Sequence, residues 1–140
     1  GKLVMYITLP DPSRQVIEVA VEPQIDSEHV EEAIFGFNHA VLGAELLRQW
    51  KLPESLIEPV AYHHVPTSAK LYQQETAIVH LANVIANDIQ SPISTDDDSM
   101  ADPLTWKLLG LEPSLLERLH EEVYQQLDDV LNIFYYTQAA

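Results

Sequence analysis

The sequence predicts an all-α fold, a compact bundle of about six or seven helices. Three observations carry that expectation. Apolar residues recur every three or four positions in ETAIVHLANVIANDI, where Ile78, Leu81, Ala82, Ile85 and Ile89 form a stripe opposite His80, Asn83 and Asn87. The same spacing returns after Pro113, at Leu116, Leu119, Val123, Leu127, Val130 and Phe134. Only SRQVIEVAVEP alternates as a strand would, through Ile17, Val19 and Val21, and no convincing second strand exists to pair with it. It therefore reads as helix too.

The punctuation between these segments sets the remaining elements. Lys2 to Leu9 read as the tail of a buried helix, stopped by Pro10 and Pro12. Asp26 or Ser27 can cap a helix running to Ile34, with Glu28, Glu31 and Glu32 near its positive end. Gly36 breaks that helix, and Asn38 caps the next, HAVLGAELLRQW. At about 100° per residue, Leu42, Gly43, Leu46 and Trp50 share a face with His39. Lys51-Leu52-Pro53 is a joint, and the helix ESLIEPVAYHH that follows contains Pro59, which should bend it. SPISTDDDSMADP reads as a solvated loop, because the spaced oxygens and glycine of an EF-hand are missing from its aspartate run. PLTWKLLG forms a short helix before the last long one.

Composition narrows the function. The 140 residues, 46% of them hydrophobic, suit one domain with its own core. Seven Lys and Arg against 22 Asp and Glu give a formal charge of −15, a surface that repels phosphate backbones and anionic lipid. Neither nucleic acid nor membrane is expected as a partner. No apolar run approaches the ~20 residues of a membrane span. Zero cysteines exclude disulfides and thiolate metal sites and fit a cytoplasmic protein. The chain opens abruptly on the apolar GKLVMYITLP, which reads as a fragment whose N-terminal part is missing.

Six histidines raise the question of a metal, since neutral imidazole binds zinc, iron, nickel and manganese. Local spacing supplies no site. There is no HExxH, His29 and His120 fall on charged faces, and His39 falls in an apolar stripe that favours a hydrogen-bonded core histidine. His63 and His64 are adjacent, so on one helix they would point about 100° apart and not reach one ion together. Donating side chains at a helix C-terminus also serve its last carbonyls.

The order of the pieces is more specific than any one of them. FGFNHAVLGAELLRQWKLPESLIEPVAYHHVP, then AIVHLANVIA, then WKLLGLEPSLLERLHEEV, resembles the HDOD family of HD-related output domains over nearly the whole chain, residues 1–140 forming a single domain. The resemblance implies an HD-domain-like fold and a non-catalytic relative of the HD and HD-GYP metal-dependent phosphohydrolases. In those enzymes histidines and aspartates surround metals that activate water against a phosphodiester. By that likeness His39, His63 and His64 match metal-binding histidines, and Asn83 stands where the active enzymes carry an aspartate. An amide there is a weaker, neutral donor to a hard cation, and HHVPTSAK lacks the phosphodiesterase signature.

The expectation is thus a degenerate metal site with no catalytic residue and no cofactor, His39, His63, His64 and Asn83 being the remnant pocket. The implied function is a signal-transduction output or interaction module of a bacterial regulator, with a signalling protein or an upstream receiver or sensory domain as partner. The alternative is an HD-type phosphohydrolase acting on a cyclic dinucleotide or nucleotide. Exposed apolar groups around Trp50 or Trp106 are candidates for the interaction surface.

Overall fold

The computed structural model describes residues 1–20, 27–90 and 101–137. Eight α-helices and one 3-10 turn make up the described residues, with no strand among them. They are α1 (Lys2–Thr8), α2 (Pro10–Ala20), α3 (Ser27–Phe35), α4 (His39–Gln49), α5 (Glu54–Tyr62), α6 (Gln73–Gln90), α7 (Pro103–Leu109) and α8 (Leu115–Thr137), with the 3-10 turn at Pro66–Ser68. The all-α class is as expected. The helix expected over SRQVIEVAVEP starts earlier than its polar residues suggest, because Pro10 and Pro12 fall in its first turn, where proline is well placed. The Asp26 cap, Val21 and the aspartate loop through Met100 lie outside the described residues.

Local chemistry explains the well-placed boundaries. Gly36 takes φ +78° at the end of α3, a conformation costly for a residue with a Cβ. Asn38 caps α4: its side-chain oxygen accepts from the Val41 N–H at 2.9 Å, and its Nδ2 donates to Glu28 and Glu32 at 2.8 Å each. One side chain therefore starts α4 and holds α3 against it. Asp102 caps α7 through the Leu104 N–H at 2.7 Å, and Gly110 ends that helix with φ +64°.

Two helix faces differ from those the sequence suggests. In α6 the buried residues are Thr76, Ala77, His80, Leu81 and Ile85, whereas Ile78 is 56% exposed and Ala82 also faces out. Side chains that find hydrogen-bond partners can be buried beside apolar ones, and both polar members do. Thr76 donates to the Tyr72 carbonyl at 2.8 Å, and His80 has the two partners described below. Leu81 and Ile85 then join Ala101 and Trp106 in a core cluster covered by Leu116, Leu119 and Val123. The α8 stripe continues outward unburied, with Leu127 and Val130 exposed; nothing is described of the Phe134 side chain.

In α4 the buried face is His39, Ala40, Gly43 and Ala44, and Trp50 is 65% exposed. Small residues let α5 approach closely: a Cβ at Gly43 would come 3.0 Å from Val60 Cγ1. The N-terminus of α1 abuts the same helix, since a Cβ at Gly1 would fall 1.8 Å from the His39 carbonyl oxygen. Within α1 only Met5 is buried, while Leu3 and Ile7 are largely exposed, so this helix is less covered than the apolar sequence suggests.

A candidate three-histidine site

His39 opens α4, and His63 and His64 follow the last residue of α5. His63 caps α5 in helical conformation and His64 lies beyond it, so the rule that neighbours on a helix diverge does not govern the pair. The rings converge. His39 Nε2 lies 3.3 Å from His63 Nε2 and 3.0 Å from His64 Nε2. One donor atom from each of the three falls within 4.8 Å of the others. The expectation that His63 and His64 could not reach a common point is overturned. Asn83 does not share their hydrogen-bond network among the described residues; it lies half-buried on α6, one turn beyond His80.

Each ring is held from its other nitrogen. His39 Nδ1 lies 2.6 Å from Glu31 Oε2, which also accepts the His39 backbone N–H at 2.7 Å. His63 Nδ1 lies 2.9 Å from the Val60 carbonyl oxygen. His64 Nδ1 faces Glu28 Oε2 at 3.6 Å. A carbonyl or carboxylate oxygen can only accept, so the Nδ1 atoms of His39 and His63 carry hydrogen and donate. In a neutral ring Nε2 then holds a lone pair.

Electrostatics favours this arrangement. Burial pushes the Glu31 carboxyl up, but the bonds from the His39 ring and backbone outweigh it and hold Glu31 below the usual carboxylate range. Glu31 is 1% exposed, and its Oε1 has no hydrogen-bond partner. Burial lowers the affinity of the His63 ring for a proton, and the charges of His39, Lys2 and His80 lower it further. The bond to the Val60 carbonyl works in the opposite direction.

His80 locks the site from beneath. Its Nδ1 donates to the His63 carbonyl at 2.7 Å, and its Nε2 accepts the Asp102 backbone N–H at 3.0 Å. Both nitrogens are used, in one tautomer. His80 is thus a bridge from the end of α5 to the start of α7.

Sequence reasoning missed two carboxylates. Glu31 was assigned only to the positive end of α3. Glu58, 6% exposed, accepts backbone N–H groups from Lys70, Leu71 and Tyr72 at 2.5–3.2 Å. It anchors the loop between α5 and α6. His29 is exposed as expected, and His120 meets Asp88 at 3.2 Å.

The model of the HDOD domain matches residues 1–66. An uncharacterized protein of Treponema pallidum (strain Nichols) is 27% identical over 85 residues, 60% of this chain. The chain spans 17% of that relative's length. A crystal structure from Marinobacter aquaeolei VT8, assigned provisionally to a signal transduction protein, superposes with a TM-score of 0.77 at 19% identity. That likeness covers 94% of this chain and 29% of the other, and it establishes the fold. The stretch matched by the HDOD model, residues 1–66, carries His39, His63 and His64, in keeping with the resemblance seen in the order of motifs.

Proposed function

We propose that this domain is a non-catalytic interaction module of a signalling protein, acting within the cytoplasm. One observation carries the reading: the carboxylates beside the histidine cluster are committed to histidine nitrogens and backbone donors. Hydrolysis of a phosphodiester at metals needs anionic ligands that balance the cations and a group that handles the proton of the attacking water. Glu31 faces His39 Nδ1, Glu28 faces His64 Nδ1 and the Asn38 amide, and position 83 holds a neutral amide.

The module's means of communication is packing. An apolar groove runs between α5 and α6, lined by Leu47, Leu56, Pro59, Val60, Ile78 and Val79. Leu56 and Ile78 are each more than half exposed, and Trp50 and Leu52 are exposed at the joint between α4 and α5. Val60 belongs to both places: its side chain lines the groove, and its carbonyl holds the His63 ring. A shift at the cluster therefore reaches the surface through one residue, and an upstream domain or partner exploits such a shift when it prefers one arrangement of the helices. The description of the Marinobacter protein as a signal transduction protein supports a signalling setting.

The convergence of three imidazoles favours a second reading, an HD-type phosphohydrolase acting on a cyclic dinucleotide or nucleotide. Assay of the purified chain with such substrates under Mn²⁺ and Fe²⁺ separates the two. No turnover above the metal blank is expected. Turnover abolished by His63→Ala makes the chain an enzyme.

A further inference from the structure

We propose that the C-terminal half of α8 is a docking surface for one basic amphipathic helix of a partner protein, seated along the apolar stripe through Leu127 and Val130. The surface lies apart from the α5–α6 groove and from the histidine cluster, so the inference goes beyond the reading above.

The sequence lays out the stripe. At about 100° per residue, Leu116, Leu119, Val123, Leu127 and Val130 fall on one side of α8. The first three are used by the fold: they pack against Leu81, Ile85, Ala101 and Trp106. The stripe does not stop there. Every residue from Tyr124 to Ile133 is exposed, Leu127, Val130 and Leu131 among them. At a rise of about 1.5 Å per residue this is roughly 15 Å of helix, or about three turns. Its apolar side continues the buried one but extends past the side chains that cover it. Apolar groups gathered on one face and rimmed by charge, unlike scattered ones, mark a site of association.

Charge decides the occupant. Glu117, Glu121 and Asp128 follow one edge of the stripe, and Glu122 and Asp129 follow the other. No Lys or Arg stands on α8 after Arg118. Because both edges carry the same sign, a second copy of α8 brings carboxylate against carboxylate whether the two run parallel or antiparallel. Anionic lipid is disfavoured on the same ground, since helices that lie on such surfaces present Lys and Arg beside their apolar face. A helix with Leu, Ile or Met on one side and Lys or Arg on both flanks meets each requirement. It covers the stripe, pairs with carboxylates on either edge, and is drawn in by the formal charge of −15.

The test titrates a fluorescent synthetic peptide with the whole chain. The peptide is a helix of about three heptads with Leu on one stripe and Lys on both flanks, and a counterpart carries Glu in place of Lys. Expected are saturable binding of one Lys peptide per chain, weakened by added salt, and no binding of the Glu peptide. Leu127→Gln combined with Val130→Gln should weaken binding about tenfold or more, as loss of a central apolar anchor does. Asp128→Asn combined with Asp129→Asn should weaken it and flatten its salt dependence. Ile78→Gln, in the α5–α6 groove, should leave it unchanged. Should a stripe variant unfold, methyl NMR of the unmodified chain still reads the contact: the Lys peptide should shift the Leu127 and Val130 signals and spare Ile78. Absence of binding overturns the inference, as does binding untouched by the stripe substitutions in folded protein, which is attraction to net charge alone. Binding lost with Ile78→Gln moves the partner to the groove and also overturns it, as does a dimer of the chain that the stripe substitutions dissociate. Each of these results leaves the non-catalytic reading, judged by turnover, standing.

Discussion

The ring of His80 donates from Nδ1 to the carbonyl oxygen of His63, 2.7 Å away, and accepts the Asp102 N–H on Nε2. A buried histidine on α6 thereby fixes the backbone beneath the three-histidine cluster and the start of α7 together. Its removal leaves a part-buried carbonyl and a part-buried N–H without these partners. His80→Ala should cost about 1–3 kcal/mol for such orphaned groups, read as a lower urea midpoint at unchanged slope. A variant as stable as the parent means that the bridge carries no weight.

Glu58 gives the fold an acid-sensitive anchor. Burial raises its affinity for a proton, but N–H bonds from Lys70, Tyr72 and Leu71 more than offset this and hold the carboxyl below its ordinary value of 4.5. A folded-state value below the unfolded one means that stability is complete above about 4.5 and is lost as pH falls through the folded value. Glu58→Gln should therefore be less stable at pH 7 and flatter in its acid denaturation. Parallel pH profiles of the two proteins contradict the assignment.

The rotation of α6 is testable by a pair of truncations. Leu81→Ala opens a cavity in the cluster with Ile85, Ala101 and Trp106 and should cost about 2–5 kcal/mol. Ile78→Ala, on the groove side and 56% exposed, should cost much less. Equal losses restore the face that the hydrophobic pattern alone suggested.

The two tryptophans should separate by fluorescence. Trp50 is 65% exposed and Trp106 6%, so a Trp106→Phe protein should emit red-shifted light readily quenched by iodide. Trp50→Phe should leave a blue-shifted emission that iodide hardly touches. Trp50→Ala should change stability by no more than about 0.5 kcal/mol, as an exposed position does. The reverse order of quenching removes Trp50 from the proposed interaction surface.

Much of the helix layout was readable because its causes are local. Gly36 and Asn38 act on their own backbone, and proline acts on its own turn. The stripe on α6 was misplaced because hydrophobicity ranks Ile78 above Thr76 and His80, while burial follows the partners these two find. The histidine site was half readable. The motif order pointed to His39, His63 and His64, yet helical geometry argued against their meeting, because nothing local says that α5 stops at Tyr62. Glu31 and Glu58 were invisible as buried anions: their partners lie 8 to 14 residues away and come near only through the packing of α3 on α4 and of the loop on α5.

The central claim is that the Glu31 carboxylate and the Val60 carbonyl take the Nδ1 hydrogens of His39 and His63, so that the Nε2 atom of each ring turns into the cluster. The most direct measurement is the side-chain ¹⁵N–¹H correlation spectrum of the histidines in metal-free protein at neutral pH, with His63 assigned by His63→Gln. The account predicts hydrogen on Nδ1 and none on Nε2 for His63. Hydrogen on His63 Nε2 would contradict it.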